Sequence, residues 1–483
     1  MFVSIVLLCI SICFILLLLK SRRPKNFPPG PPAWPVLGNL LYLISKDPLK
    51  NLEKLRQSYG NVYSLFLGSR PVVVINGLKM MKEAMVTKGP HFAGRPQDLL
   101  MNRLTQWKGV ILADYNSAWR EHRRFDLMTL KIFGLGKKSM EDQIHEELHH
   151  TIKILDQSAG KTLSPQVMFH NITSNVIFKF LFGTRYEYDD ENKVRIQRLL
   201  RLTKVINKPW MMVTLHKYIC VFQAFQSFSV SRVNEHKKSR IPGEPRDFID
   251  CYLEELDKKN DASSFSEEQL ISQLFDLYLA GTDTTANTLR TAFLYLMNHP
   301  QIQERCQQEI DQVLEGKDRV TFEDRHNMPY MQAVIHEVQR VANTVPLSAF
   351  HCTTRDTELL GYSIPKGTMI IQNMMSVLKE EGQWKFPHDF NPENFLNEQG
   401  EFVKPEAFMP FSAGPRMCIG ESLASMELFL IVVTLLRKYK FIWPQDAGEP
   451  DYTMVFAGSL TPKPYNMKIE SRSPHIDVCR FWE

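Results

Sequence analysis

The feature that most constrains this chain is a single cysteine in a short segment containing two glycines, directly before a long helical pattern. The segment reads FSAGPRMCIG from Phe411 to Gly420, and apolar residues with helical spacing begin directly after it. A cysteine at the start of a helix lies near unpaired backbone N–H groups and the positive end of the helix dipole, and both stabilise a thiolate. The glycines let the backbone approach a flat ligand closely, and Arg416 can pair with a carboxylate on that ligand. From the residues alone we expect either an activated Cys418 with an anion nearby or a buried structural cysteine.

The first nineteen residues form an apolar segment without a charged side chain. As a helix this segment would be about 30 Å long, which is enough to cross the hydrocarbon core of a bilayer. Lys20, Arg22, Arg23 and Lys25 follow it, and this positive charge places the residues after the segment on the cytoplasmic side. A cleaved signal peptide would carry basic residues before the apolar run and small residues at a cleavage site, and neither is present. We therefore predict an uncleaved transmembrane anchor at residues 1–19.

The rest of the chain divides into a linker and a single body. A basic and proline-rich linker is predicted at 20–40, because its repeated prolines exclude a helix or a central strand. The body is predicted at 41–483, since no repeat or low-complexity segment divides it. Clusters of β-forming residues at 62–67 and 72–75 predict a hairpin, and 357–372 predicts a second small sheet. Helical periodicity is found at 139–156, 266–298, 300–315, 329–342 and 421–438. We expect a mainly α fold with a minor β portion.

Charge and cysteine content exclude two classes of protein. The formal net charge of +5 over 483 residues is modest, whereas nucleic-acid-binding proteins concentrate basic residues on one face. The eight cysteines are irregularly spaced and form no CxxC pair. This spacing argues against a disulfide framework or a zinc ribbon and favours a reducing compartment. We expect no nucleic-acid partner.

The segment around Cys418 resembles the haem-binding signature of the cytochrome P450 family, Phe-x-x-Gly-x-Arg-x-Cys-x-Gly, at every fixed position. The resemblance reaches to about residue 470 and is closest to the microsomal drug- and lipid-oxidising P450s of family 2. Motifs that support it include PPGP at 28–31, FAGRP at 92–96 and RDFIDCY at 246–252. The resemblance implies the cytochrome P450 fold and haem b, with the Cys418 thiolate as axial ligand of the iron. It is weakest at 205–241, which lacks the Pro-Gly turn that relatives often carry near the substrate pocket.

The AGTDTT segment at 280–285 lies inside the helical stretch 266–298, although its residue types disfavour a helix interior. A threonine hydroxyl can bond to the carbonyl four residues earlier, so we expect the helix to be interrupted or loosened there, with room for water. The residues alone predict a kinked core helix. The resemblance implies that this helix passes over the haem, and that Asp283 and Thr284 relay protons during dioxygen activation.

Glu337 and Arg340 are three residues apart, so they share a helical face on which opposite charges usually form a weak surface pair. In the family, Glu-x-x-Arg is buried and braces the cysteine segment, with an arginine or histidine from a Pro-Glu-x-Phe motif as third partner. Asn394 occupies that third position in this chain. Asparagine can hydrogen-bond but carries no charge. The resemblance therefore implies a weaker structural brace made of Glu337, Arg340 and Asn394.

Trp119 and Arg123 are four residues apart and share a helical face. The resemblance implies that these two side chains reach the haem propionates, together with Arg95, His351 and the Arg416 of the cysteine segment. The basic residues nearby would then form a docking surface for a redox partner, although for the lysines a solvated charged face is the better interpretation. These basic residues are Arg120, Arg124, Lys131, Lys137 and Lys138.

The sequence HEELH at 145–149 fits H-E-x-x-H, the zinc-peptidase pattern in which two imidazoles on one helical face hold the metal. No third ligand motif follows, and charged residues crowd the same helix. A solvated amphipathic helix explains the pattern, so zinc peptidase activity through His145 and His149 is a remote alternative.

The resemblance implies that 41–483 is a haem-thiolate catalytic domain that inserts one oxygen atom from dioxygen into a lipophilic substrate, such as a fatty acid, steroid or xenobiotic. Electrons would come from NADPH through NADPH–cytochrome P450 reductase, with cytochrome b5 as an optional second partner. The single anchor would hold the protein at the endoplasmic reticulum membrane, with the catalytic domain in the cytoplasm. A non-catalytic thiolate-haem sensor is the alternative, which the intact acid–alcohol pair disfavours. The predicted substrate pocket comprises Tyr278, Leu279, Ala280, Val345, Leu347, Ala349, Val110 and Leu112.

Overall fold

The computed structural model describes residues 23–45, 47–133, 138–158, 160–190, 211–258, 263–456 and 458–472. The anchor predicted at 1–19 lies outside the described residues, as does the beginning of the predicted linker. Among the helices of the described part, none is both long and apolar enough to span a bilayer.

Helices make up most of the described chain, and the helical stretches expected from periodicity are all present. The α-helices are α1 (Leu40–Leu43), α2 (Pro48–Tyr59), α3 (Leu78–Lys82), α4 (Leu100–Leu104), α5 (Ser117–Phe133), α6 (Lys138–Gln157), α7 (Pro165–Phe182), α8 (Met211–Ser239), α9 (Phe248–Asp257), α10 (Glu267–Asn298), α11 (Pro300–Val313), α12 (Pro329–Ala342), α13 (Met375–Leu378) and α14 (Glu421–Lys438). Short 3₁₀ or π turns occupy Glu83–Thr87, Gly89–Phe92, Phe322–Asn327, Pro392–Phe395, Gly414–Arg416 and Gln445–Ala447. The prediction of a mainly α fold is confirmed.

Helix α10 runs for 32 residues without a break. It begins after Ser266, whose hydroxyl accepts a hydrogen bond from the backbone N–H of Gln269 and so satisfies one unpaired donor of the first turn. The interruption expected at 280–285 is therefore wrong for the backbone. The predicted side-chain bond does form, because the hydroxyl of Thr284 donates to the carbonyl oxygen of Ala280 at 2.7 Å. This bond is compatible with helical geometry and leaves the helix continuous.

Helices α7 and α10 pack closely along the 280–285 segment. A Cβ atom at Gly281 would collide with the side chain of Ile177, so glycine permits the close approach of the two helices. The hydroxyl of Thr173 on α7 donates to the carbonyl oxygen of Thr282 on α10 at 2.9 Å. These contacts fix the position of α7 against the part of α10 that carries Asp283.

The β portion contains four small sheets. The strands are β1 (Val62–Leu67), β2 (Arg70–Ile75), β3 (Thr162–Leu163), β4 (His351–Cys352), β5 (Thr357–Leu359), β6 (Tyr362–Ile364), β7 (Met369–Gln372), β8 (Tyr439–Ile442), β9 (Met454–Phe456), β10 (Leu460–Pro462) and β11 (Met467–Ser471). The predicted hairpin is confirmed as β1 and β2, which pair antiparallel. The second small sheet expected at 357–372 is confirmed for β5 and β6, which pair antiparallel, but β7 instead joins β2 in parallel.

The largest apolar core is formed by α6, α7, α10 and α14, which bury aromatic and aliphatic side chains against one another. A second core lies between the β1–β2–β7 sheet and the helices beside it. The segment from Phe411 to Gly420 leads from the side of the second core into α14 in the first. The cysteine segment therefore lies where the helical and sheet-containing parts of the molecule meet.

Candidate active site

One cavity of about 530 Å³ lies between α10 and the cysteine segment. Its walls include α10 from Leu279 to Thr285, the cysteine segment from Pro410 to Gly420, and the loop residues Val110 and Ile111. Most of the lining is apolar, and the polar groups are concentrated in a few arginines, threonines and carboxylates. A deep apolar cavity with few convergent polar groups is the usual form of a small-molecule or cofactor site.

The backbone of the cysteine segment is held in a conformation that requires glycine. Gly414 has a φ of +74°, and a Cβ atom there would collide with the carbonyl oxygen of Met85. The N–H of Cys418 donates to the carbonyl oxygen of Phe411 at 3.0 Å, closing the segment on itself. Gly420 then precedes the first residue of α14. The sequence-based expectation of a cysteine beside a helix N-terminus is confirmed.

The Cys418 side chain is exposed to the cavity. Burial within the fold raises the pKa of the Cys418 thiol, while backbone N–H groups of Gly420 and Glu421 and the charge of Arg123 lower it. The helix N-terminus therefore acts in the expected direction, but it does not by itself outweigh desolvation. A bound metal cation would shift the balance to the thiolate, because a coordinating thiol is deprotonated.

Three arginines lie along one side of the cavity: Arg95, Arg123 and Arg416. In the described part of the chain their guanidinium groups donate only to backbone carbonyl oxygens. Arg416 also stacks on the ring of Trp119, with 3.8 Å from its guanidinium carbon to the ring centroid. Arg123 donates to the carbonyl oxygen of Met417 at 2.6 Å, which connects α5 to the cysteine segment.

Positive charge accumulates at these arginines, and the nearby carboxylates of Asp114, Asp126 and Asp276 offset it only in part. Burial lowers the pKa of all three, and for Arg416 the positive charge of Arg95 adds to the effect. Guanidinium groups nevertheless stay charged in proteins, so an anionic ligand would offset the cost of burying each positive charge. Haem carries two carboxylates and an iron that accepts a thiolate, and this donor set fits Cys418 and the three arginines.

His351 occupies a different position from the other predicted propionate ligands, because it does not line the cavity. It is buried on β4, and its Nδ1 lies 2.7 Å from the carbonyl oxygen of Phe92. Burial and the charge of Arg95 hold the pKa of His351 well below its usual range, so the ring is neutral. His351 supports the backbone beside Arg95, and a contact with propionate remains a prediction.

The predicted acid–alcohol pair lines the cavity from α10. Asp283 Oδ1 lies 3.2 Å from His170 Nε2, and Asp283 Oδ2 accepts hydrogen bonds from Asn287 and Ser459 at 3.4 Å each. Thr284 lies one residue further on the same wall. The two polar side chains are thus next to each other at the edge of an otherwise apolar surface.

The three residues of the predicted brace are in mutual contact. Glu337 and Arg340 are completely buried and make two contacts of 2.7 Å. Arg340 also donates to four backbone carbonyl oxygens between 378 and 389. Asn394 takes the third position, since its Nδ2 donates to Glu337 at 3.2 Å and its Oδ1 accepts from the N–H of Phe386 at 2.8 Å. An uncharged asparagine therefore completes the hydrogen bonding of this buried pair.

Five of the eight predicted substrate-pocket residues line the cavity: Val110, Leu279, Ala280, Val345 and Ala349. The other three, Tyr278, Leu347 and Leu112, do not line it. Tyr278 packs into the main core against Phe178 and Phe225, with ring centroids 4.9 and 5.0 Å apart. Leu347 lies in an apolar cluster with residues of β1 and β2, and the Leu112 carbonyl oxygen accepts a hydrogen bond from Asn102.

Three ionisable residues that line the cavity were missed by the sequence analysis: His170, Asp276 and Glu427. Asp276 accepts the N–H groups of Val110 and Ile111 at 2.8 and 2.9 Å, and burial raises its pKa to about 6. Burial likewise raises the pKa of Glu427 well above its usual range. A signal was present, because each of the three interrupts an apolar helical run.

The HExxH residues do not form a metal site in the described part of the chain. His145 Nε2 lies 2.9 Å from the carbonyl oxygen of Val320. The only cluster of possible metal ligands in the described ranges is His236, Asp247 and Asp250. Its members already bind each other and Arg246, and Asp247 caps α9. This cluster is therefore a structural network, and zinc peptidase activity is not favoured.

Comparison with known proteins agrees with this geometry. The Cytochrome P450 family model matches residues 28–469. The chain is 42% identical to cytochrome P450 2D14 of Bos taurus over 487 residues, which cover 95% of this chain and 97% of the relative. It is 40% identical to cytochrome P450 2J5 of Mus musculus over 453 residues, covering 91% and 90%. It is also 40% identical to cytochrome P450 2J2 of Homo sapiens over 447 residues, covering 89% and 88%. The chain therefore belongs to the cytochrome P450 family and is a haem-dependent monooxygenase.

Proposed function

We propose that Cys418 supplies the axial thiolate of the haem and that the cavity between it and α10 binds a lipophilic substrate for oxidation. The observation that carries this proposal is that Cys418, the arginines and the Asp283–Thr284 pair all line one cavity. Haem bound there supplies the chemistry of dioxygen activation. The residues of the chain hold the cofactor, exclude water and move protons.

Arg95, Arg123 and Arg416 hold the haem carboxylates in this proposal. They present cations at one side of the cavity, and their carbonyl contacts fix the orientation of each guanidinium group. Trp119 supports Arg416 from beneath, and its indole N–H donates to the carbonyl oxygen of Val110 at 2.9 Å. Charge-assisted hydrogen bonds to carboxylates are among the strongest in proteins, so three such donors would dominate cofactor retention.

Asp283 and Thr284 hold protons near the reacting atoms. Thr284 donates its hydroxyl hydrogen to Ala280, so its oxygen keeps lone pairs for a water molecule in the cavity. Asp283 is anchored by neighbouring polar side chains and lies within the cavity wall. General acid groups of this kind accelerate proton transfer by about 10²–10⁴-fold. A non-catalytic haem sensor would have no use for this pair.

The substrate is a fatty acid, steroid or xenobiotic of low polarity. Val345 and Ala349 extend the apolar lining beyond α10, and Ile177 and Phe180 add further apolar surface from α7. Apolar walls bind by excluding water and therefore accept many lipophilic shapes.

Electrons reach the enzyme from NADPH through NADPH–cytochrome P450 reductase, with cytochrome b5 as an optional second donor. The surface of α5 supports this, because Arg120, Arg124 and Lys131 are exposed there beside the exposed apolar side chains of Leu127 and Met128. A basic surface would steer an acidic partner, with a rate that falls as salt rises. Lys137 lies outside the described residues, and the side chain of Lys138 is not described.

The proposal also covers the membrane to which the chain is anchored and the compartment in which its catalytic domain lies. The apolar segment at 1–19 anchors the chain in the endoplasmic reticulum membrane, residues 20–40 form the linker, and the catalytic domain at 41–483 lies in the cytoplasm. Exposed Trp34 in the linker, with exposed Leu41 and Ile44 at the start of the catalytic domain, supports contact of this region with lipid, because these large apolar side chains otherwise face water.

The test is reconstitution of the full-length holoenzyme with the reductase in lipid vesicles, using a panel of lipophilic substrates. We expect oxidised product only when both NADPH and the reductase are present. Thr284→Ala should lower the ratio of product to NADPH consumed, whereas Thr291→Ala serves as a matched control. Thr291 makes the same hydroxyl-to-carbonyl bond within α10 but lies outside the cavity lining. Haem-loaded protein that oxidises no member of the panel would contradict the proposal and favour a sensor.

A further inference from the structure

His170 on α7 contacts the acid of the predicted proton relay. Its Nε2 lies 3.2 Å from Asp283 Oδ1, and both residues line the cavity. The two side chains are nearly buried, with 9% of His170 and 17% of Asp283 exposed. An interaction between two ionisable groups at this depth is weakly screened by solvent.

The contact of the other ring nitrogen, Nδ1, shows which nitrogen of His170 carries a hydrogen. Nδ1 is 2.8 Å from the carbonyl oxygen of Gln166, and a carbonyl oxygen can only accept. Nδ1 therefore carries a hydrogen. In the neutral ring, Nε2 is then an acceptor that faces a carboxylate oxygen, which is also an acceptor. This contact is favourable only if one more proton lies between Nε2 and Oδ1, either on the imidazole or on the carboxyl group.

The surrounding contacts keep the pair in place. Gly281 and Ile177 allow α7 and α10 to pack closely, and Thr173 bonds to the backbone of α10. The other oxygen of Asp283 accepts hydrogen bonds from Asn287 and Ser459. The packing of the two helices and the contacts of Asp283 Oδ2 therefore favour the observed approach of His170 and Asp283.

We propose that His170 is a positioning residue of the proton relay, which holds a shared proton on Asp283 and keeps its carboxyl group oriented toward the cavity. This inference rests on the proposed role of Asp283 and Thr284. During each delivery the pair gives one proton to a water molecule in the cavity and regains one proton from bulk water. No electrons are transferred at either residue.

The first test compares turnover of two variants of the haem-loaded enzyme, reconstituted with the reductase. His170→Leu removes the hydrogen bond, and His170→Gln keeps a donor but cannot hold a transferable proton. We expect both to lower the ratio of product to NADPH by about tenfold, while substrate affinity is unchanged. This is less than the contribution of a general acid, about 10²–10⁴-fold, because Asp283 and Thr284 stay in place. Restoration of the ratio by glutamine would show that only packing and hydrogen bonding matter, and would overturn the proposal.

A matched control is His145→Gln. His145 is also a helical histidine with a ring nitrogen on a backbone carbonyl, but it lies outside the cavity lining. Its replacement should leave the ratio of product to NADPH unchanged. An equal loss in this variant would mean that the effect at 170 is not specific to the relay.

The second test does not depend on turnover. In the carbon monoxide complex of the reduced holoenzyme with ¹⁵N-labelled histidine, the His170 signals are assigned by their loss in His170→Gln. We expect the Nε2 chemical shift of His170 to change in Asp283→Asn, because an amide donates to Nε2 without sharing a proton, while the His145 signals stay fixed. An unchanged Nε2 shift would contradict the shared proton. A changed shift in a protein that oxidises no substrate would instead contradict the proposed function and leave the proton-holding pair intact.

Discussion

At the residue scale, the main feature of the active site is positive charge on arginine side chains that the rest of the chain does not fully neutralise. Arg95, Arg123 and Arg416 are turned toward one cavity, and in the described part of the chain their hydrogen bonds all end on backbone carbonyls. Burying a cation without a counter-charge is costly. In the proposed function an anionic cofactor would supply the missing charge, so we expect the arginines to be direct determinants of haem retention.

Arg416→Leu should release haem. The change removes three donors to backbone carbonyls, the stack on Trp119 and one cation beside the cofactor carboxylates. A hydrogen bond to a charged group contributes about 1.5–3 kcal/mol, so haem affinity should fall by at least about tenfold. The ratio of bound haem to protein after dilution measures this loss of haem affinity. Arg437→Leu is the control, since Arg437 also donates to backbone carbonyls but lies far from the cavity lining. Equal haem loss in both variants would contradict the account.

Asp126→Asn should change how stability depends on pH. Burial raises the pKa of Asp126 from 3.8 to about 8. The hydrogen bond that Gln273 donates to its carboxylate acts in the opposite direction and lowers this pKa. The folded state then keeps a proton that the unfolded chain releases, so unfolding of the wild type becomes easier as pH rises through this window. Relative to the variant, the wild-type free energy of unfolding should fall by up to about 1.4 kcal/mol per pH unit. Denaturation of both proteins at pH values between 3.8 and about 8 measures the difference in free energy of unfolding. A difference that does not change with pH would contradict the raised pKa of Asp126.

At the scale of elements, the cysteine segment is positioned from several sides. Met85 packs against its backbone, Arg123 of α5 binds the Met417 carbonyl, and Arg416 reaches the loop at Ala113. The Glu337–Arg340 pair fixes the chain between 378 and 394 from α12. Met85, α5 and the loop at Ala113 therefore contact the cysteine segment directly, whereas an effect of the brace on Cys418 remains a prediction.

Gly414→Ala should disrupt cofactor binding. An added methyl group would meet the Met85 carbonyl oxygen at a φ of +74°, so the cysteine segment would have to move. Gly448→Ala is a matched control, because Gly448 has a φ of +69° but nothing within 4 Å. That variant should show only the backbone cost of about 1–3 kcal/mol, because a φ of +69° with a ψ of −165° is a conformation that essentially only glycine adopts. Thermal denaturation and haem content distinguish the two, and full haem loading of Gly414→Ala would contradict the proposed positioning.

Asn394→Ala should destabilise the brace. It removes the donor to Glu337 and leaves the N–H of Phe386 without its partner. Unsatisfied buried polar groups cost about 1–3 kcal/mol each, so the midpoint of thermal unfolding should fall by several degrees. Asn397→Ala is the control, as Asn397 bonds mainly to the neighbouring Glu401 near the surface. A similar effect of both changes would show that Asn394 has no special role in the brace.

The limits of sequence reasoning are clearest on α10. Periodicity showed which residues share a face, but helix rotation depends on partners that are distant in sequence. Leu279, Ala280 and Asp283 face the cavity, whereas Tyr278 is turned by one residue into the aromatic core beside Phe178. The backbone also stayed helical through 280–285, since packing against α7 outweighs the weak helix propensity of glycine and threonine there. Local propensity alone could not predict either result.

At the scale of the whole molecule, the fold class and the location of the site followed from two patterns that are local in the sequence. Helical periodicity predicted α6, α10, α11, α12 and α14, but gave no bounds for the long helices α5, α7 and α8. The segment around Cys418 marked the cavity. The sequence could not place His170 beside Asp283, because the two residues are 113 positions apart and meet only through tertiary packing of α7 and α10. It also could not show that β7 joins the β1–β2 hairpin in parallel. The anchor at 1–19 and the membrane location remain predictions.

The measurement that tests the central claim most directly is the carbon monoxide difference spectrum of the reduced full-length protein. It is recorded for wild type, Cys418→Ser and the control Cys352→Ser, whose cysteine lies on β4 outside the cavity lining. We predict a red-shifted, thiolate-type Soret band in the wild type and in Cys352→Ser, and its loss in Cys418→Ser. A thiolate-type band that survives Cys418→Ser, or an imidazole-type band in the wild type, would contradict Cys418 as the axial ligand.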